Sequence, residues 1–214
     1  MTRHDFRTAA AAYREAERIV AALRGPKDLG ALMARQNYAT TLVMAGLADE
    51  AVPLLRDSLE PMATLLPAGH SVLLYARLMF ATALAEAGRS EEATRELEPL
   101  GAGFEALGDV AGLASLHVER ATLLREAGDL ERARAMASQG VVLWERALGP
   151  DNAEVAVALR ELGTIEQAAG NLGAARAAYE RALAIDAAFT GPDGVPAGED
   201  RAALAGLQES DDAR

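Results

Sequence analysis

The sequence predicts an all-α protein built from repeated helix pairs, and three observations lead to that prediction. Half of the 214 residues are apolar, but only 4% are aromatic. Four segments of the chain align with one another without gaps, and each ends in Ala-Gly. Cysteine is absent, which excludes disulfide scaffolds and thiolate metal sites. Self-similarity at a near-constant spacing is the signature of a repeat architecture.

The four aligned segments predict the first helix of each pair. They cover residues 32–46, 74–88, 114–128 and 156–170, and their terminal glycines are 42, 40 and 42 residues apart. A glycine directly after an amphipathic run ends a helix, because it adopts the left-handed conformation without a Cβ clash. A threonine lies six residues before each glycine. These threonines are Thr40, Thr82, Thr122 and Thr164.

A second helix is predicted after each of these glycines. An alanine follows five residues later, and the apolar residues beyond it keep helical spacing. Small residues at matched positions allow two helix backbones to approach closely. A turn then closes each unit, because Gly-Pro does not continue a helix and an adjacent Asp can cap the next one. The alanines are Ala51, Ala93, Ala133 and Ala175.

The repeat register extends beyond these pairs at both ends. Asp5 to Leu23 are predicted to form a second helix that has no first-helix partner. After Gly191-Pro192-Asp193, residues 199–208 are predicted to form a short capping helix, and residues 209–212 a disordered tail. We therefore expect a repeat domain over residues 1–190, followed by a loop, capping helix and acidic tail over residues 191–214.

Pro99 interrupts the second helix of the second pair and is followed by Gly101 and Gly103. Proline removes a helical hydrogen bond and clashes with the preceding turn, so this helix is predicted to bend or stop there. Two interpretations are open. The proline either marks a kink that absorbs a two-residue shortening of the repeat, or it marks a hinge between two pairs of repeats.

The recurring pattern of a small residue, Thr, Ala-Gly and a later Ala resembles the tetratricopeptide repeat. Residues 170–175 with Tyr179 and Ala182 are the best single match. The spacing exceeds the basic period of about 34 residues, and Leu-Gly-Pro-Asp at 148–151 is similar to the kinesin-light-chain-like subtype. Arg120 departs from the family pattern, and so does the shortened third unit. Over residues 5–190 the resemblance implies a right-handed α-solenoid of about four helix pairs.

The resemblance also implies that the first helices line a concave groove. We transfer the groove positions of the family to this sequence by the register of the repeats, and Asn37 and Met79 lie at the edge of that set. The predicted groove residues are Met33, Gln36, Asn37, Thr40, Tyr75, Leu78, Met79, Thr82, Val118, Thr122, Arg125, Arg160, Thr164 and Gln167. One end of this surface is apolar, and methionine suits a surface that adapts to a partner. The other end carries arginines. Two alternatives are open: the apolar helix over residues 72–85 is simply sandwiched between neighbours, and the threonine row is only a small spacer.

No residue pattern indicates catalysis or a bound cofactor. His4, His70 and His117 lack the spacing of a helical metal pair, and no phosphate-loop or nucleophile-elbow motif occurs. A formal net charge of −11 without a basic run argues against nucleic acid and anionic membrane surfaces as partners. No stretch reaches the roughly 20 apolar residues of a membrane span. We expect a non-enzymatic cytoplasmic protein, and its alanine- and arginine-rich composition suggests a bacterial source.

These observations predict a scaffold or regulatory adaptor that binds a protein or peptide segment in the groove. An acidic or amphipathic peptide would suit a surface that runs from apolar to arginine-bearing. Two alternatives remain. The unpaired leading helix can stack on a second copy and form a homodimer, or the groove can receive a peptide signal or a small molecule.

Overall fold

The computed structural model describes residues 3–191 and 194–212, and every regular element within them is an α-helix. Pro192 and Asp193, which we placed in the last turn, lie outside the described residues. The helices are α1 (Arg3–Arg24), α2 (Leu29–Met44), α3 (Ala48–Leu65), α4 (Ser71–Glu86), α5 (Ser90–Leu97), α6 (Leu100–Leu107), α7 (Val110–Glu126), α8 (Leu130–Leu148), α9 (Ala153–Ala168), α10 (Leu172–Thr190) and α11 (Val195–Asp212). The predicted all-α fold of repeated helix pairs is confirmed.

The chain forms two compact units, Met1–Gly108 (unit 1) and Asp109–Arg214 (unit 2). Consecutive helices pack against each other within each unit. In unit 1, α1 occupies the place of a second helix, as predicted, and packs on α2.

The first helices end at the predicted glycines, and they begin three or four residues before the aligned segments. Asp28 and Asp109 each accept a hydrogen bond from a helix amide, at 2.9 and 2.8 Å, and His70 does the same through Nδ1 at 3.2 Å. These caps satisfy amides that a helix start leaves unpaired. The glycines of the four Ala-Gly sequences have φ values of 72–80°, the left-handed region in which glycine ends a helix. They are Gly46, Gly88, Gly128 and Gly170.

The helix interrupted by Pro99 stops there, as predicted, and α6 continues after the break. Phe104 on α6 is fully buried, and its ring meets that of Tyr75 on α4 edge-on, with centroids 5.3 Å apart. A Cβ at Gly103 would approach Leu74 to 2.8 Å, so glycine permits this close packing of α6 on α4. The hinge interpretation stays a prediction.

The end of unit 2 differs from the prediction. Helix α11 is longer than the expected capping helix at both ends, and residues 209–212, expected to be a disordered tail, are helical. Pro196 lies in the first turn, where proline is tolerated, and residues 209–212 contain no glycine or proline that would end the helix. Leu207 is fully buried and packs with Ala175 and Tyr179 of α10. The helix therefore covers apolar surface of the last repeat, which is the role predicted for the cap.

None of the described helices combines the length and the hydropathy needed to cross a membrane.

Candidate peptide-binding site

In unit 1 the candidate site lies on α2 and α4, which contact each other. Residues spaced by four, three and four positions share one side of a helix, and the repeat places such a row at the same register on both helices. We call these two rows the unit 1 face. It consists of Met33, Asn37, Thr40 and Met44 on α2 and of Tyr75, Met79, Thr82 and Glu86 on α4.

The unit 1 face exposes large apolar side chains. Met33 exposes 42% of its surface and Met44 exposes 57%. Tyr75 and Met79 on the neighbouring helix are half-buried, and Asn37 between the methionines is exposed. Neighbouring exposed apolar side chains often mark an interaction site, and the thioether adapts its shape to a partner. This face can therefore accept apolar side chains of another chain.

Leu78 and Gln36, two other predicted groove residues of unit 1, point inward. Leu78 is fully buried, so its assignment to the groove is wrong. Helix α4 is flanked by α2, α3, α5 and α6, and these neighbours cover this part of its circumference. Gln36 Nε2 donates a hydrogen bond to Met62 Sδ at 3.2 Å, which ties the amide to the core of the unit.

The threonine row is half-buried in all four repeats. The hydroxyls of Thr82, Thr122 and Thr164 each donate to the backbone carbonyl four residues earlier, at 3.1, 3.3 and 2.9 Å. A threonine that bonds its own helix in this way has satisfied its donor. These contacts favour the spacer interpretation of the row over a row of ligand-binding hydroxyls.

The equivalent rows in unit 2 are more acidic. They are Ser115, Glu119, Thr122 and Glu126 on α7 and Val157, Glu161, Thr164 and Ala168 on α9.

Two other predicted groove residues of unit 2, Val118 and Gln167, contact their own unit. Val118 is half-buried and packs on the core of unit 2, where a Cβ on Gly140 would come within 2.8 Å of it. Gln167 Oε1 accepts a hydrogen bond from the Tyr179 hydroxyl at 3.2 Å.

The two arginines predicted to lend positive charge to the groove are paired with carboxylates of unit 2. Arg125 Nε donates to Glu161 Oε1 at 2.8 Å. Arg160 Nη1 donates to Asp186 and, at 3.4 Å, to Asp200. The charge of both arginines is therefore compensated within the unit. The sequence pattern could not show this, because the partners lie 26 to 40 positions away along the chain.

Asp186 and Asp200 are both buried and share the Arg160 guanidinium. Burial raises the pKa of Asp200 to about 6; the Arg160 charge opposes this shift and the Asp186 charge adds to it. The only sequence signal of this cluster was a pair of aspartates within alanine-rich helices. Among the described residues, no group of three His, Asp or Glu side chains is placed to hold a metal ion.

Residues 112–188 match the family model of the tetratricopeptide repeat. No curated protein sequence matches the chain. Among solved structures, the kinesin-light-chain TPR-like repeats of Podosopora anserina are 23% identical, with a TM-score of 0.66 over 86% of this chain and 88% of that one. BtubC (BKLC) from P. vanneervenii is 18% identical, with a TM-score of 0.73 over 95% of this chain and 83% of that one. At these identities the likeness shows the fold, and the resemblance predicted from the sequence is confirmed.

Proposed function

We propose that this chain, whose residues 112–188 are tetratricopeptide repeats, is a non-catalytic cytoplasmic scaffold or adaptor that binds a protein segment on the unit 1 face. Proteins built from this repeat are generally protein–protein interaction scaffolds. The observation that carries the proposal is the exposure of Met33 and Met44 beside the half-buried Tyr75 and Met79.

The chemistry of the unit 1 face favours an amphipathic segment with apolar anchor residues. Glu86 is its one charged residue, so apolar contact dominates the surface. The exposed Asn37 amide lies between the two methionines and offers hydrogen bonds to a peptide backbone. An acidic ligand has less support here than the sequence suggested, because Arg125 and Arg160 pair with carboxylates of unit 2.

The test starts from peptides selected against the wild-type protein in a random display library. Their affinities are then measured by fluorescence anisotropy for wild type and for Met33→Glu combined with Met79→Glu. Charges placed on an apolar contact surface are desolvated on binding, so we expect at least about tenfold weaker binding. Val142→Glu, a change at a 61% exposed position of α8, is the matched control and leaves the affinity within about twofold. Peptides that bind the double variant as well as wild type would contradict the proposal.

Self-association is a second candidate function, and an exposed stripe on α1 favours it. Ala12, Ala16, Ile19 and Leu23 share one side of α1 and are all exposed, Leu23 to 79%. In an antiparallel pair of α1 helices, small residues would lie opposite large ones, which is the pattern that packs helices closely.

Sedimentation velocity over a range of protein concentrations tests this second candidate. A homodimer that Ile19→Glu combined with Leu23→Glu dissociates, and that Met33→Glu leaves intact, would support it. A monomer at every concentration would exclude it and would leave the peptide-binding proposal untouched.

A further inference from the structure

Unit 1 contains a second candidate site, on the side of α4 opposite the unit 1 face. Arg77 and Phe80 are displaced from Tyr75 by about half a turn of helix, and they line an open cleft between α3, α4 and α5 with a volume of about 590 Å³. Four arginines surround this cleft, which we call the arginine cleft. They are Arg56, Arg77, Arg89 and Arg95.

The floor of the arginine cleft is apolar. Phe80 and Leu84 of α4 form its buried base, and the half-buried Leu59 and the exposed Ala63 of α3 supply its accessible apolar surface. The Arg56 guanidinium lies over the Phe80 ring, 5.7 Å from its centroid. An arginine placed over an aromatic face is held there by cation–π attraction. The floor therefore positions one guanidinium and leaves an apolar surface beside it.

Three glutamates also line the cleft, and one of them is strongly engaged. Glu92 accepts two hydrogen bonds from Arg89, both of 2.7 Å. The hydrogen bond from Arg89, with the further charges of Arg56 and Arg95, holds the pKa of Glu92 below its ordinary value. Glu92 thus engages two of the five guanidinium donors of Arg89.

Arg56 and Arg77 are incompletely paired. The carboxylate within ion-pair range of Arg56 is that of Glu92, at 3.6 Å, and for Arg77 it is that of Glu96, at 3.7 Å. Both distances exceed hydrogen-bond length. Their side chains are 52% and 39% exposed. Two guanidinium groups therefore present donors toward the cleft, although the chain as a whole carries a net charge of −11.

We propose that the arginine cleft binds an acidic peptide segment of a partner protein, with a carboxylate hydrogen-bonded by Arg56 and Arg77 and an adjacent apolar side chain against Leu59 and Ala63. Charge complementarity selects this occupant, because planar guanidinium groups match a carboxylate bidentately. The site is separate from the unit 1 face and lies on the second-helix side of the repeats. It does not depend on the function proposed for that face.

Fluorescence anisotropy with a labelled peptide of repeated Glu-Glu-Leu tests the proposal. We expect saturable binding that weakens at least about fivefold between about 50 and about 300 mM salt, and no saturable binding of the matched Lys-Lys-Leu peptide. Arg56→Gln combined with Arg77→Gln should weaken binding at least about tenfold. Arg132→Gln combined with Arg146→Gln removes the same charge from exposed positions of α8 and should change affinity by less than about twofold.

A gain-of-affinity variant makes the test sharper. Glu96→Gln removes the internal carboxylate nearest to Arg77, so we expect tighter binding of the Glu-Glu-Leu peptide, by about twofold or more. Circular dichroism of each variant confirms that the helices are retained.

Several outcomes would overturn the proposal. They are an equal loss of affinity in the α8 control, absence of binding by wild type, and binding of a single-stranded RNA oligonucleotide that the peptide cannot displace. Met33→Glu combined with Met79→Glu should leave binding of the acidic peptide unchanged, so failure at either site is distinguishable from failure at the other.

Discussion

Units 1 and 2 are built from the same repeat, but their arginines have different surroundings. In unit 2, Arg125, Arg134 and Arg160 each donate a hydrogen bond of less than 3 Å to a carboxylate on another helix. In unit 1, Arg35 pairs in the same way with Glu17 at 2.7 Å, whereas the carboxylates nearest to Arg56 and Arg77 lie at 3.6 and 3.7 Å. An arginine at the surface of a repeat therefore keeps donors for a partner where the carboxylates of neighbouring helices lie beyond hydrogen-bond distance.

The first helices of the two units also differ, in the side chains of their equivalent rows. The rows on α2 and α4 carry methionine, tyrosine and asparagine, whereas those on α7 and α9 carry three glutamates. The repeat register places equivalent positions in equivalent surroundings, and the side chains at those positions then decide which unit can bind an apolar segment. We therefore assign both proposed binding sites to unit 1 and a mainly structural role to the ion pairs of unit 2.

The first prediction compares an arginine that is hydrogen-bonded to buried carboxylates with one in a long, exposed ion pair. Arg160→Leu leaves two buried carboxylates without their cation, and we expect it to lower the free energy of unfolding by about 3–5 kcal/mol. Arg77→Leu breaks a long, exposed ion pair and should cost less than about 1 kcal/mol. Denaturant unfolding at a pH above 7 measures both values, and equal losses would remove the distinction between the units.

A second pair of variants compares close packing at glycine in the two units. A Cβ at Gly163 would come within 2.7 Å of the Tyr179 ring, whose hydroxyl also bonds Gln167. Gly163→Ala should therefore cost about 1–3 kcal/mol by overpacking.

Gly103→Ala in unit 1 meets the branched end of Leu74, which can rotate, and it gains up to about 1 kcal/mol of helix propensity. We expect its net cost to be the smaller of the two in thermal unfolding. A larger loss at position 103 would show that the contact of α6 with α4 tolerates less adjustment than the contact of α9 with α10.

The buried aspartates predict a dependence of stability on pH. The pKa of Asp200 is raised from 3.8 to about 6 in the folded protein, so the folded state holds this proton more tightly than the unfolded state. The contribution of Asp200 to the free energy of unfolding is therefore lost as pH rises. Between about pH 5 and about pH 7.5 the loss is about 1 kcal/mol.

Asp200→Asn removes that titrating group while leaving Asp186 paired with Arg160. The difference in unfolding free energy between the two pH values should change by that amount in the variant. An identical pH profile in wild type and variant would contradict the assignment.

The smallest expected effect concerns the exposed ion pair of unit 1. Glu96→Gln should change the free energy of unfolding by less than about 0.5 kcal/mol, because exposed pairs contribute little. The same variant is expected to bind the acidic peptide more tightly, which separates a binding role of Arg77 from a structural one. A large loss of stability would show that Arg77 and Glu96 form a structural pair instead.

Several features of the fold were predictable from residues close together in the chain. The Ala-Gly sequences located the ends of four helices, the aspartate of Gly108-Asp109 located a helix start, and Pro99 located a break within a helix. Each of these features depends on backbone dihedrals and hydrogen bonds within about five residues. The recurrence of the pattern along the chain then indicated helix pairs.

The candidate site was only partly predictable. Met33 is exposed as the register implied, but Leu78 is buried, and Gln36 and Val118 at the equivalent register position also face the interior. The arginine cleft could not be predicted from the sequence. Its residues come from α3, from α4 and from α5 with the turn before it, and no local motif connects them. Their proximity depends on how the helices pack.

By itself the sequence determined the helices, their ends and their repetition, because these depend on local backbone preferences that short motifs encode. Only the tertiary structure decided which charges are compensated and which surfaces stay open. The partners of Arg125 and Arg160 lie 26 to 40 positions away along the chain, and whether two such groups meet depends on helix packing. That packing brings Arg125 and Arg160 of unit 2 within hydrogen-bond distance of carboxylates and leaves Arg56 and Arg77 of unit 1 at 3.6 and 3.7 Å from theirs.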